Sequence, residues 1–202
     1  MIKSVIFDLG GVYFTDGTKI AIEKISKKYN LQFESVQEIL KTGSEISTIY
    51  RRGEITFNEF WNKVKNILKI NADNNELNKL WVESYDLMQG TIEIIKQLKE
   101  KGIKIYYLSD NVKERVEYLQ TKFNFLENFI DGLFSNEVHR TKKDGVNVFK
   151  LALKKTKDKP EDVVYIDDKK EYVETAKKIG MFTIHFKNPE QLKEELINLG
   201  IL

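Results

Sequence analysis

The chain has 202 residues, with 33 Lys and Arg against 31 Asp and Glu, two prolines and no cysteine. A chain of this length folds as one compact unit with at most one appendage. Its near-balanced charge, with lysines scattered beside glutamates, gives no sign of the segregated basic face of a nucleic-acid binder, and no nucleic-acid partner is expected. The absence of cysteine excludes a disulfide framework, a thiolate metal site and a thiol nucleophile.

The first apolar run, Val5-Ile6-Phe7, meets Asp8 and two glycines at once. It is too short for a signal peptide or a membrane span, so a soluble, cytoplasmic protein without a membrane partner is expected. Rich in β-branched and aromatic residues, it predicts a strand buried on both faces. From about Thr15 to Met88 no convincing strand follows. Ile22, Ile25 and Tyr29 share a helical face; Thr56 with Glu59 has the signature of a capping box, ahead of Phe57, Phe60, Trp61, Val64 and Leu68 at helical spacing. The expected division is an inserted helical cap over residues 15–88 and an α/β core from residues 1–14 and 89–202. Trp61 and Trp81 are expected to fill the cap's interior.

The core then alternates. Ile94, Ile95 and Leu98 predict a helix, Ile103 to Leu108 a strand, and Asp131 to Phe134 a further candidate strand. Val148, Leu151 and Leu153 predict a helical face before Pro160, and Val163 to Ile166 and Phe182 to Phe186 two more strands, with His185 packed in the last. Alternation of this kind implies right-handed crossovers and a doubly wound parallel sheet.

In such a sheet ligands bind beyond the carboxyl ends of the strands. Asp8-Leu9-Gly10-Gly11 follows one strand, Ser109-Asp110-Asn111 another and Asp167-Asp168 a third, and Lys142 and Lys143 lie in the loop beyond Phe134. Converging carboxylates repel one another unless a hard cation neutralises them, and carboxylate oxygens suit Mg²⁺. A phosphoryl group held by that cation, a lysine and a serine hydroxyl would face a carboxylate able to form an aspartyl-phosphate. The glycines after Asp8 leave room for the backbone to approach it. Taken singly, each aspartate has an ordinary reading as a turn former or helix cap.

The order and spacing of Val5 to Val12, Tyr107 to Asn111, Ser135 to Asp144, and Val164 to Asp168 with Ala176, Gly180 and Met181 resemble the haloacid dehalogenase superfamily. The likeness is to its phosphatase-like branch with a small helical cap (subfamily I), to which the stretch from Arg52 to Phe60 is also similar. The resemblance implies Asp8 as nucleophile and magnesium ligand, the Gly10 carbonyl as second ligand, and Asp167 and Asp168 completing the metal set. It implies Ser109, with Asp110, Asn111 and Gly11, around the phosphoryl group of a small phosphorylated metabolite, and Lys142 or Lys143 as the charge-neutralising lysine; counting from Ser135 selects Lys142, counting back from Phe149 selects Lys143. Neither monomer nor homodimer is selected.

Three positions depart from that pattern. Gly10 stands where an aspartate acting as general acid and base is usual, a loss of typically about 10²–10⁴-fold in rate. Asp110 stands where asparagine is commoner, and Tyr172 replaces another asparagine, with local hydrogen bonding as the expected consequence. The expected activity is therefore a magnesium-dependent phosphohydrolase. The alternatives are a weak or inactive ligand-binding derivative, favoured by Gly10, and a carbon–halogen hydrolase, disfavoured by Asp167-Asp168 because that chemistry needs no cation.

Overall fold

The computed structural model describes residues 1–202. Five strands form one parallel sheet: β1 (Ser4–Phe7), β2 (Lys104–Ser109), β3 (Asp131–Phe134), β4 (Val163–Asp167) and β5 (Phe182–His185), in the order β3-β2-β1-β4-β5. The candidate strand at Asp131 to Phe134 is thus present, at an edge. The register sets Phe7 beside Tyr107 on one side and Ile166 on the other. Alternate residues serve opposite faces: Val5 and Phe7 pack on one, and Ile6 joins Tyr106, Leu108 and Tyr165 on the other.

The helices are α1 (Gly17–Tyr29), α2 (Phe33–Leu40), α3 (Glu45–Arg51), α4 (Phe57–Leu68), α5 (Asn74–Val82), α6 (Gln89–Glu100), α7 (Lys113–Phe123), α8 (Ser135–Val138), α9 (Val146–Thr156), α10 (Lys170–Lys177) and α11 (Pro189–Asn198). The first six fall between β1 and β2, and the first five of these lie within residues 15–88. Thr56 caps α4 with the reciprocal Glu59 bond of a capping box, and Phe60, Trp61, Val64 and Leu68 are buried on its inner face. On α9 the expected face is out of phase: Val148 is buried, but Phe149 and Ala152 fill the core while Leu151 is 39% exposed. Phe149 packs edge-on to Tyr165, 5.3 Å between ring centres, and that contact fixes the helix's rotation.

The apolar packing runs without a break from Ile22, Trp61 and Trp81 to Val5 and Phe7 of the sheet. Entry to and exit from the inserted helices run side by side, since Phe14 bridges Leu87 and the Thr15 amide donates to the Asp86 carbonyl at 2.9 Å. No helix is long and apolar enough to cross a membrane.

Candidate functional site

The strand order reverses its direction of growth between β1 and β4, which makes their carboxyl ends the topological switch point where an open sheet leaves a crevice. Asp8 follows β1 and Asp167 ends β4. With Asp168 they offer one carboxylate oxygen each, all within 4.8 Å of one another. Lys142 reaches between them from the loop after α8: its Nζ lies 2.9 Å from Asp8 Oδ1 and 2.7 Å from Asp167 Oδ2. Lys142 is 3% exposed, Asp167 fully buried and Asp8 6% exposed.

Each group is aimed by its neighbours. The Leu9 amide donates to Asp8 Oδ1 at 2.7 Å and the Lys169 amide to Asp167 Oδ1 at 2.8 Å. The Tyr165 hydroxyl donates to Asp167 Oδ2. His185 is half-buried and puts Nε2 3.0 Å from the Asp168 carbonyl oxygen, so the histidine expected to serve as packing also pins the Asp167-Asp168 loop. The Lys142 ammonium stands 5.0 Å over the Tyr172 ring, a cation–π contact that replaces the purely local role expected of that residue.

The two lysines separate cleanly. Lys143 is directed outward and donates to the Gly43 carbonyl at 2.6 Å, away from the carboxylates. The reason lies in Asp110. Both of its carboxylate oxygens accept from the Lys142 amide, at 2.9 and 3.2 Å, which seats that turn with Lys142 inward. Asp110 thus lines the cleft but commits its carboxylate to the loop backbone. Asn111 likewise lines the cleft with its own Oδ1 taken by the Val112 amide at 3.0 Å. Ser109 is buried at the cleft wall. Gly11 has φ +85°, and a Cβ there would meet Asp168 Oδ2 at 2.8 Å, so only glycine leaves that carboxylate in place. His139 bonds the Arg52 carbonyl at 2.8 Å and does not line the cleft.

The electrostatics of the cluster suit a cation. Burial pushes the Asp8 carboxyl up to about 7, Lys142 opposing and the Asp167 charge adding to the rise. Burial also lifts Asp168 to about 6, with Asp167 beside it. Asp168 Oδ1 is buried without any hydrogen-bond partner. Oxygens sharing one hard cation sit about 2.0–2.6 Å from it and so within about 4–5 Å of one another, which the three aspartates satisfy. The Gly10 carbonyl belongs to the same loop, and Gly10 lines the cleft.

Several cleft residues had no sequence signal. Arg51 and Arg115, 2% exposed each, and Tyr85 all line it. Charged residues on amphipathic helices ordinarily read as solvated surface.

A family model for haloacid dehalogenase-like hydrolases matches residues 2–180. The chain belongs to that family. A Dictyostelium discoideum protein of uncharacterised role is 30% identical over 146 residues, 70% of this chain and 62% of its own length. A drimenol cyclase of Aspergillus calidoustus is 27% identical over 98% of this chain but 37% of the cyclase. The chain therefore spans less than two thirds of either relative. Enolase-phosphatase E1 of Persephonella marina is 26% identical, with 94% of this chain and 90% of that enzyme covered. Among solved structures, a family enzyme of Bacteroides thetaiotaomicron in complex with magnesium and inorganic phosphate superposes with a TM-score of 0.75 at 20% identity, covering 93% of this chain and 96% of that one. The shared fold is the parallel sheet with flanking helices.

Proposed function

We propose that this haloacid dehalogenase-like hydrolase is a magnesium-dependent phosphohydrolase acting through an aspartyl-phosphate on Asp8. One observation carries the reading: three carboxylates within 4.8 Å of one another with a buried lysine bonded to two of them. Asp8, Asp167, Asp168 and the Gly10 carbonyl are the groups that would hold Mg²⁺. Bound there, the ion would supply charge neutralisation for the phosphoryl oxygens and for the carboxylates themselves.

The chain's own residues do the rest. The Leu9 amide fixes Asp8 Oδ1, leaving the other carboxylate oxygen free to attack phosphorus. Lys142, held by Asp110 and Tyr172, sets a fixed positive charge where the transferring group gains negative charge. Ser109 offers a hydroxyl at the same wall. The buried walls exclude bulk water from the acyl phosphate until a positioned water attacks it.

The relatives support the class: one is named a phosphatase, and the Bacteroides enzyme holds magnesium and phosphate. The cyclase name attaches to a chain of which this protein matches 37%, and supports no cyclase reading here. The substrate class in this reading is a small phosphorylated metabolite. Purified protein with Mg²⁺ is expected to release phosphate from p-nitrophenyl phosphate, and Asp8→Asn to abolish it while leaving a folded protein. Gly10 favours a second reading, in which the site binds metal and phosphate without turnover. Mg²⁺- and phosphate-dependent thermal stabilisation with no phosphate released from any substrate would select it.

A further inference from the structure

Arg51 and Arg115 are each 2% exposed, and neither has a carboxylate partner. The Arg51 guanidinium donates to Ser47 Oγ at 2.9 Å and to the Asp110 carbonyl at 2.7 Å. Arg115 donates once, to the Tyr85 hydroxyl at 2.7 Å. The nearest acidic side chains are otherwise engaged: Asp110 on the Lys142 amide, and Glu114 on the Tyr50 hydroxyl at 2.7 Å. Both guanidinium groups share the Trp81 indole, their Cζ atoms 5.5 and 4.2 Å from its ring centre. Three nitrogens, Arg51 Nη2, Arg115 Nε and Arg115 Nη2, are buried with no partner at all.

Two buried cations without an anion are costly, and an arginine that merely latched helices together would spend its donors on them. Both line the cleft that holds Asp8, Ser109 and Lys142. Tyr85, the hydrogen-bond partner of Arg115, places its Cε1 4.0 Å from where a Cβ on Gly10 would be. Gly10 and the two arginines thus line one cleft, where a leaving-group acid would otherwise stand.

We propose that Arg51 and Arg115 form a second anion site, and that the substrate is an organic diphosphate whose inner phosphate they receive as the leaving group. This rests on the hydrolase reading above and names its substrate class. An Asp8 oxygen forms a bond to the terminal phosphorus, and the bond from that phosphorus to the bridging oxygen breaks. The electron pair stays on the bridging oxygen, which departs as the anion of an organic monophosphate. Such an anion needs no proton to leave, so the missing acid at Gly10 costs little, and the guanidinium forks neutralise the departing charge. Water then attacks the phosphorus, returning the Asp8 carboxylate; one water proton stays on inorganic phosphate and the other passes to solvent.

The test compares hexyl diphosphate, hexyl phosphate and p-nitrophenyl phosphate with Mg²⁺. The diphosphate is expected to exceed the alkyl monophosphate in kcat/KM by about 10²-fold or more, and that ratio is expected to fall by about tenfold or more in Arg115→Gln and Arg51→Gln, an unchanged ratio in the folded variants overturning the assignment. Calorimetry on the Asp8→Asn protein is expected to find inorganic pyrophosphate bound at least about tenfold tighter than orthophosphate. Equal kcat/KM for the two hexyl substrates overturns the proposal while the hydrolase reading stands. If no substrate is turned over, the hydrolase reading fails, and calorimetry alone decides the anion site: equal affinities overturn it. Should the glutamine variants not fold, Arg115→Lys is expected to lower the ratio through loss of the fork, and an unchanged ratio overturns the assignment.

Discussion

Removing divalent cations while varying pH probes the crowded carboxylates directly. Burial holds Asp8 at about 7 and Asp168 at about 6 in the folded chain, against ordinary values near 3.8. Above pH 5 the unfolded chain has already released both protons, while the folded chain holds them until pH passes about 6 and about 7, so stability falls as pH rises through those values and then levels off. At about 1.4 kcal/mol per pH unit, Asp8 accounts for about 3 kcal/mol up to its folded value and Asp168 for about 1. These are ceilings, because part of the Asp8 rise comes from the Asp168 charge. Carboxyls held low by surface partners, Asp162 by Lys3 and Glu76 by Lys28, are ionised by pH 5 and leave the window flat. Lys142 is held above its ordinary value and stays charged throughout. In a domain of this size about 4 kcal/mol lowers Tm by roughly 8–16 °C. Thermal melts in a chelator are expected to fall by that order from pH 5 to pH 8, and saturating Mg²⁺ to restore more at pH 8 than at pH 5. A metal-free melt that is flat or rising across the window, or a Mg²⁺ effect equal at both ends, would refute the reasoning.

Other perturbations separate the roles. Lys142→Met is expected to cost the metal-free protein about 3–5 kcal/mol by leaving Asp8 and Asp167 facing each other and to lower phosphate release by at least about 10²-fold; Lys143→Met is expected to change stability by less than about 1 kcal/mol and turnover little. Denaturant midpoints and p-nitrophenyl phosphate assays read both, and equal effects would contradict the lysine assignment. Tyr165→Phe removes the donor on Asp167 Oδ2; a loss of about 1–1.5 kcal/mol is expected in chemical denaturation, with weaker Mg²⁺ binding by titration. Gly10→Asp is expected to raise hexyl phosphate turnover by about 10²-fold or more and p-nitrophenyl phosphate turnover far less, since only the alkoxide needs a proton; a folded variant with no gain would show that position 10 cannot serve.

The strands were legible because a sheet covered on both faces demands unbroken apolar runs, and the site's aspartates because each falls where such a run stops. The capping box of Thr56 and Glu59 marked α4 for a local reason, one that tertiary packing does not alter. Rotation about a helix axis was harder. Leu151 and Phe149 are two residues apart, and periodicity alone does not say which faces inward; the Tyr165 ring does. The choice between Lys142 and Lys143 depends on Asp110, 32 residues away in sequence, reaching the turn's backbone. The arginines were illegible in principle, since a buried guanidinium and a solvated one have the same spacing on a helix. Only the indole of Trp81 beneath them shows which they are.

Tyr85 connects these findings. It stands just before the chain re-enters the core, and its ring packs so closely on the start of α1 that a Cβ on Gly17 would come within 2.3 Å of it. Its hydroxyl pairs with Thr18 Oγ1 at 2.6 Å and accepts from Arg115 at 2.7 Å. The same ring is the only neighbour that a Cβ on Gly10 would meet, at ordinary contact distance. The backbone at Gly10 thus tolerates a side chain, and steric exclusion does not explain the glycine. What differs from an acid at that position is the sign of the charge brought to the cleft: Arg51 of α3 and Arg115 of α7 bring cations, whereas an aspartate would bring an anion. Proton donation by the loop and anion binding by Arg51 and Arg115 are thus alternative solutions to the same step, and on the proposal above this chain carries the second.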